Sequence, residues 1–169
     1  MSPSSPFSTT SGVLYVHSCP PALVPHVEWA VAAELGVRSS LPWSEQPAAP
    51  GALRGEISWR GRAGTAGRLA AALRGWQVLR YEVTEQASPG CDGERWAVTP
   101  TLGVFRAAMS ANGDVLVGED RLRALLATAS GPQLSHGLDQ LLGAAWDDEL
   151  EPFRCAGEGS TVTWLHQVV

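Results

Sequence analysis

The sequence predicts an α+β fold with a ferredoxin-like βαββαβ core over residues 12–86. Three observations carry this. Apolar and polar residues alternate from Leu53 to Arg60 and from Leu79 to Thr84, the period of a half-buried strand. Apolar residues recur at helical spacing in two other segments, around Val27 and around Leu69. The segments follow one another as β-α-β-β-α-β, the split βαβ order in which two helices cover one face of an antiparallel sheet.

Residues 1–11 are rich in Ser, Pro and Thr and read as a flexible tail ahead of a single domain, 12–169. Gly12 to His17 is a continuous apolar run, expected as a central strand buried on both faces. Pro20 and Pro21 stop it, and Pro25 suits the first turn of a helix, where its missing N–H costs nothing. Leu23, Val27, Ala30, Val31 and Leu35 form that helix's stripe, and Gly36 fits its C-terminal cap. Val37 to Trp43 is a strand candidate interrupted by Pro42. In the next strand Leu53, Gly55, Ile57 and Trp59 point inward. Thr65 is placed to cap a helix carrying Leu69, Ala72 and Leu73. Leu79, Tyr81 and Val83 then supply the inward row of the fourth strand.

The second half extends this core by a β-hairpin, two helices and a C-terminal strand. Ser88 to Gly93 is a turn cluster, and Arg95 to Met109 is extended but broken by Pro100 and Gly103. Asn112-Gly113 predicts a type I′ turn leading to Val115 to Val117. Glu119 and Asp120 favour a helix N-terminus before Leu122, Leu125, Leu126 and Ala129. After Gly131-Pro132, one stripe runs through Leu134, Leu138, Leu141, Leu142, Ala145 and Trp146. Thr161 to Val169 is β-branched and aromatic and reads as the last strand. Among the seven Trp, Trp29, Trp59 and Trp146 are expected in the core, and exposed rings at Trp43 or Trp96 would mark a binding surface.

Composition excludes several function classes. The 169 residues are 44% hydrophobic and 17% charged, too apolar and too weakly charged for a disordered chain. No apolar run approaches the roughly 18 residues of a membrane helix, and Met1 to Pro6 lacks the basic and apolar regions of a secretory signal. A cytoplasmic location without membrane contact is therefore expected. The net charge of −5 argues against nucleic acid as a partner. All twelve basic residues are Arg, so Schiff-base and P-loop chemistry lack their lysine. Cys19, Cys91 and Cys155 form no CxxC pair, so neither a disulfide framework nor a zinc finger is expected.

Several segments are distinctive: Gly12 to Ser18, Pro25 to Val31, Ser88 to Trp96, Ala145 to Arg154 and Trp164 to Val169. Together they resemble an actinobacterial family catalogued as a domain of unknown function, and the likeness covers nearly the whole chain after the tail. The resemblance supplies no activity, cofactor or catalytic residue. It implies an accessory role beside fatty-acid synthesis.

Candidate chemistry is sparse. Cys19 with His17 as base, between a strand end and a helix start, is the one nucleophile–base pair, the signature of a small hydrolase or transferase. Two prolines follow Cys19 and withdraw N–H donors, and no Gly-rich oxyanion turn surrounds it. No metal site is expected: His17, His26, His136 and His166 show no ligand spacing, and a His17/His26/Cys91 set would have to be assembled by the fold. Asp147 to Glu151 is an acidic run at an expected helix C-terminus, where it opposes the helix dipole unless a cation such as Arg154 offsets it. The polar strand rows, Arg54, Glu56, Ser58 and Arg60 on one strand and Arg80, Glu82 and Thr84 on another, would point away from the helices. There they would line a groove for a small anionic ligand or protein partner, since Arg forks suit carboxylate and phosphate. The expectation is a non-catalytic binding protein without a cofactor, its ligand held by Arg54, Glu56, Arg60, Arg80 and Glu82.

Overall fold

The computed structural model describes residues 8–156. Within them the strands are β1 (Thr9–Cys19), β2 (Ser44–Glu45), β3 (Leu53–Arg62), β4 (Arg80–Glu85), β5 (Gly93–Thr99), β6 (Gly103–Met109) and β7 (Val115–Leu116). The helices are α1 (Val24–Leu35), α2 (Thr65–Leu73), α3 (Glu119–Thr128), α4 (Pro132–Leu142) and α5 (Ala144–Cys155). The fold is α+β. One antiparallel sheet runs β2-β3-β1-β4-β5-β6-β7.

Strand periodicity sorts the side chains onto two faces. Leu14 and Val16 of β1, Trp59 of β3 and Tyr81 and Val83 of β4 pack against Val27 and Val31 of α1 and Leu69 and Leu73 of α2. The opposite face is covered over only part of its width. There Ala97 of β5 and Phe105 and Ala107 of β6 meet Leu150 and Trp146 of α5. Two glycines permit the close approaches. A Cβ on Gly12 would sit 1.8 Å from the Thr84 carbonyl oxygen and 2.5 Å from the Trp59 ring. Gly143, at φ +79°, ends α4 and lies where a Cβ would come within 2.6 Å of the Phe105 ring.

The structure corrects several expectations. Residues 9–11, assigned to the tail, pair with Arg62, Gly61 and Arg60 and lengthen β1. Val37 to Trp43 is not a strand, because its backbone and side chains are drawn to α1. One oxygen of Glu28 accepts hydrogen bonds from Ser40 Oγ, Leu41 N–H and Trp43 Nε1 at 3.0–3.1 Å. Burial alone would raise this carboxyl, but the three bonds hold it below the usual carboxylate range. The second strand is reduced to Ser44–Glu45. At the β6–β7 turn only Gly113 takes positive φ, so the turn is not type I′. Thr65 does not cap α2; its hydroxyl donates to the Arg62 carbonyl. The long stripe from Leu134 to Trp146 is two helices broken at Gly143. The acidic run therefore begins in the first turn of α5, where Asp147 complements the dipole. Trp29 is 73% exposed rather than core, while Trp43 and Trp96 are half-buried. The C-terminal strand expected at Thr161 to Val169 lies outside the described residues.

Candidate functional site

The polar rows of β3 and β4 do turn away from α1 and α2, with Tyr15 of β1 between them, opposite Glu56 and Glu82. Helix α5 crosses this face and divides it into a buried charge cluster and an open groove.

Glu82 is the centre of the cluster and has no exposed surface. Arg154 of α5 reaches it with Nε at 2.9 Å and Nη2 at 2.6 Å. Arg95 of β5 adds Nη2 at 2.8 Å, and His17 Nε2 lies 2.7 Å away. A carboxylate with no proton only accepts, so Nε2 carries the imidazole proton. Both arginines also donate to Asp147, which bridges them from the solvent side. Burial would raise the Glu82 carboxyl, but the bonds and charges of His17 and Arg154 outweigh it and hold the group far below the carboxylate range. The same pairing offsets burial at Arg154 and raises its guanidinium. The buried Glu82 thus meets two buried guanidiniums in a dry site, and the part-exposed Asp147 closes it toward solvent.

Glu149 and Glu151 of the acidic run are engaged as well, whereas Asp148 is exposed. Glu149 accepts from Thr99 at 2.9 Å and lies 3.4 Å from Arg80, whose guanidinium stacks on the Phe153 ring at 4.6 Å. Glu151 pairs with Arg154 at 3.3 Å. Arg54 donates to the Ala156 carbonyl and holds the end of α5 against β3. Of the five ligand candidates, Glu82 and Arg80 lie under α5, Arg54 fastens it, and Glu56 and Arg60 remain exposed.

The groove lies beyond the reach of α5. It encloses about 960 Å³ and is floored by Ser11, Val13 and Tyr15 of β1, Ser58 and Arg60 of β3 and Thr84 of β4. Met109 and the Ser110 to Gly113 turn form the far wall. Tyr15 joins the two regions, because its ring also stacks on His17, parallel within 5° at 6.0 Å between centroids. Burial and the nearby Glu56 and Glu82 charges raise the Tyr15 hydroxyl, so it stays protonated and can donate. Arg60 has no ion-pair partner among the described residues.

A family model described as a protein of unknown function, DUF3145, matches residues 13–167. The chain belongs to this family. No curated protein and no solved structure matches it. In this DUF3145 member the thiol of Cys19 is fully buried, donates to the Pro20 carbonyl at 3.3 Å, and is pushed up to about 11 by burial. A register irregularity of β1 against β3 between Val16 and Cys19 breaks the strand's alternation at this point. Cys19 joins the core beside Val27, whereas His17 turns to Glu82 on the other face. The fold does not assemble His17, His26 and Cys91. Among the described residues no group of three His, Cys, Asp or Glu side chains is placed to hold a metal, and no helix is long and apolar enough to cross a membrane.

Sequence reasoning missed two residues of this site. Arg95 stood in a strand whose row was not assigned to a face. Gln46, 1% exposed, donates to the His17 carbonyl at 2.7 Å and to the Phe153 carbonyl at 3.2 Å, tying the β1 irregularity to α5. A polar residue before Pro47 gives no local signal of such burial.

Proposed function

We propose that this DUF3145 protein is a non-catalytic, cytoplasmic binding protein. Its groove takes a small anionic ligand or an anionic segment of a protein partner. One observation carries the reading: the exposed Arg60 lines a groove of about 960 Å³ beside Ser58, Ser11 and Thr84 and makes no ion pair among the described residues, while the acids in the lining are engaged elsewhere, Glu94 with Arg106 and Glu85 with the N-terminus of α2. A planar guanidinium with free donors suits a carboxylate or phosphate, and the hydroxyls suit the oxygens around it. Val13 and Met109 offer apolar contact to the rest of the ligand. The accessory role beside fatty-acid synthesis implied by the resemblance belongs to the same proposal. We also read β1 to β4 with α1 and α2 as a ferredoxin-like unit, supported by the antiparallel order β2-β3-β1-β4. The rival, a hydrolase or transferase using Cys19 and His17, is disfavoured because the two side chains occupy opposite faces.

The test is a titration of the full chain with carboxylated and phosphorylated small molecules, followed by amide chemical shifts in NMR. Shifts confined to β1, β3, β4 and the 110–113 turn, and at least about tenfold weaker binding in Arg60→Ala, would support the proposal. Binding unaffected by Arg60→Ala, or shifts elsewhere, would overturn it.

A further inference from the structure

We infer that two copies of this chain pair edge to edge through β3, joining their sheets across a two-fold axis at Trp59. The edge is open because β2 is so short. Its residues meet only Leu53 and Arg54, and the outer side of β3 from Gly55 to Arg62 has no strand beside it among the described residues. Two bonds fix which backbone groups face outward. Gln46 N–H donates to the Ala52 carbonyl on the outer side, whereas Ala63 N–H donates to the Ser8 carbonyl on the β1 side. Backbone groups alternate sides along a strand, so those of Glu56, Ser58 and Arg60 point outward. No described group bonds to them. The edge also lacks the usual protections, since this stretch has no proline and its register against β1 is regular from Gly55 to Arg62.

One register satisfies both shape and charge. A two-fold axis pairs residues at equal distances on either side of it, and outward groups meet outward groups only when the axis falls on a residue. With the axis at Ser58 or earlier, Arg62 of the second copy would stand opposite Arg54 or beyond it, where β2 already pairs. With the axis at Arg60 or later, arginine would oppose arginine, which repels. With the axis at Trp59, Arg62 of the second copy falls opposite Glu56, clear of β2, and Ser58 exchanges both backbone bonds with Arg60 of the second copy. Glu56 and Arg62 are both exposed and, by the strand's period of two, share one face. Glu56 of each copy therefore meets Arg62 of the other as a cross-strand ion pair. Glu56 has no ion-pair partner among the described residues. A strand from an unrelated protein would need no such symmetry about Trp59, and the symmetry selects a second copy. Arg60 meets only Ser58 in this register, so the groove keeps its cation whether or not the copies pair.

Sedimentation of the full chain over a range of concentrations tests this. The mass should rise from 17.9 kDa toward twice that value, and the N–H groups of Ser58 and Arg60 should become protected from hydrogen exchange as it does. Ser58→Pro removes an outward N–H that no described group uses, so it should weaken pairing at least about tenfold and leave the far-UV circular dichroism unchanged. Glu56→Arg and Arg62→Glu should each weaken self-pairing by a similar factor. Mixing these two variants should restore a dimer, because every cross-strand pair then joins opposite signs. Four outcomes would overturn the inference: a constant monomer mass, a dimer indifferent to Ser58→Pro, a charge-reversed mixture that fails to pair, or protection of Ser58 and Arg60 at every concentration, as residues 157–169 of the same chain lying on the edge would give.

Discussion

Glu82 on β4 and Arg154 on α5, 72 residues apart, form a two-point ion pair in which both partners are buried. Leu150 and Arg154 are the buried residues of α5, so this helix is held to the sheet as much by charge as by apolar contact. Removing the carboxylate leaves Arg95 and Arg154 in a dry site with only Asp147 between them. Glu82→Ala should therefore cost about 3–5 kcal/mol, the range for breaking a buried pair by deleting one partner. Urea unfolding followed by tryptophan fluorescence measures it. A loss below about 1 kcal/mol would mean that water reaches the cluster and that α5 is not fastened there.

The same pair predicts acid sensitivity. Burial would raise the folded carboxyl of Glu82, but the hydrogen bonds and charges of His17 and Arg154 depress it, and Arg95 donates to it as well. The unfolded carboxyl titrates at about 4.3. Above that pH both states are ionised and the stabilisation is fully present. As pH falls below it the unfolded chain takes up the proton first, and stability is lost progressively toward the depressed folded value. Stability measured from pH 7 to pH 3 should fall steeply below about 4.3 in the native protein. In Glu82→Gln the fall should be shallower from a lower starting point; an unchanged slope would assign the acid sensitivity to other carboxylates.

Glu85 at the end of β4 caps α2 from outside the helix. Its two oxygens accept from Gly64 N–H at 2.7 Å and Ala66 N–H at 2.8 Å, two donors that the helix itself leaves unpaired. The charge also complements the positive end of the dipole. Glu85→Ala should cost about 2 kcal/mol, the upper end for loss of a cap, and Glu85→Gln, which keeps one acceptor, about half of that. Thermal unfolding of both variants checks the order. If Thr65→Ala proved costlier than Glu85→Ala, the cap would belong to the threonine after all.

What was legible in the sequence was what the backbone decides locally. The alternation in β3 and β4 named the inward rows, and Gly36, at φ +67°, ends α1 where its position suggested. Partnership across the chain was not legible. Thr65 had the right residue type for a cap, yet Glu85 outcompetes it from another strand. The Leu134 to Trp146 stripe looked continuous because periodicity continues through Gly143, whose positive φ and closeness to Phe105 show only in three dimensions. Trp29 sat near an apolar stripe but beyond the arc that α1 turns to the sheet. The row containing Glu82 was correctly turned from the helices, but nothing local said that Arg154 would cover it.

Gly12 should be intolerant of even one methyl group. It lies on the helix-covered face of β1, where the strand approaches Thr84 and the Trp59 ring. A Cβ 1.8 Å from a backbone carbonyl cannot be relieved by rotating a side chain. The strands must separate, at about 3 kcal/mol. Gly36→Ala offers the contrast, since nothing lies within 4 Å of its Cβ and only the positive φ opposes the change. Its cost should be about 1 kcal/mol. Equal losses in the two variants would show that β1 has room to shift.

The three cysteines should separate by reactivity. The thiolate is the nucleophile, so burial and pKa set the order. Cys91 is exposed in the 88–91 turn and should react first with a disulfide reagent near neutral pH. Cys155 is also exposed, but its thiol donates to Glu151 at 3.2 Å, and that bond and the adjacent charge raise its pKa. It should react more slowly, and Glu151→Gln should speed it. Cys19, buried and pushed up to about 11, should react only when urea unfolds the chain. Counting modified thiols by mass spectrometry under native and denaturing conditions gives the order directly. Rapid native modification of Cys19 would contradict its burial and restore the thiol reading that its place in the core argues against.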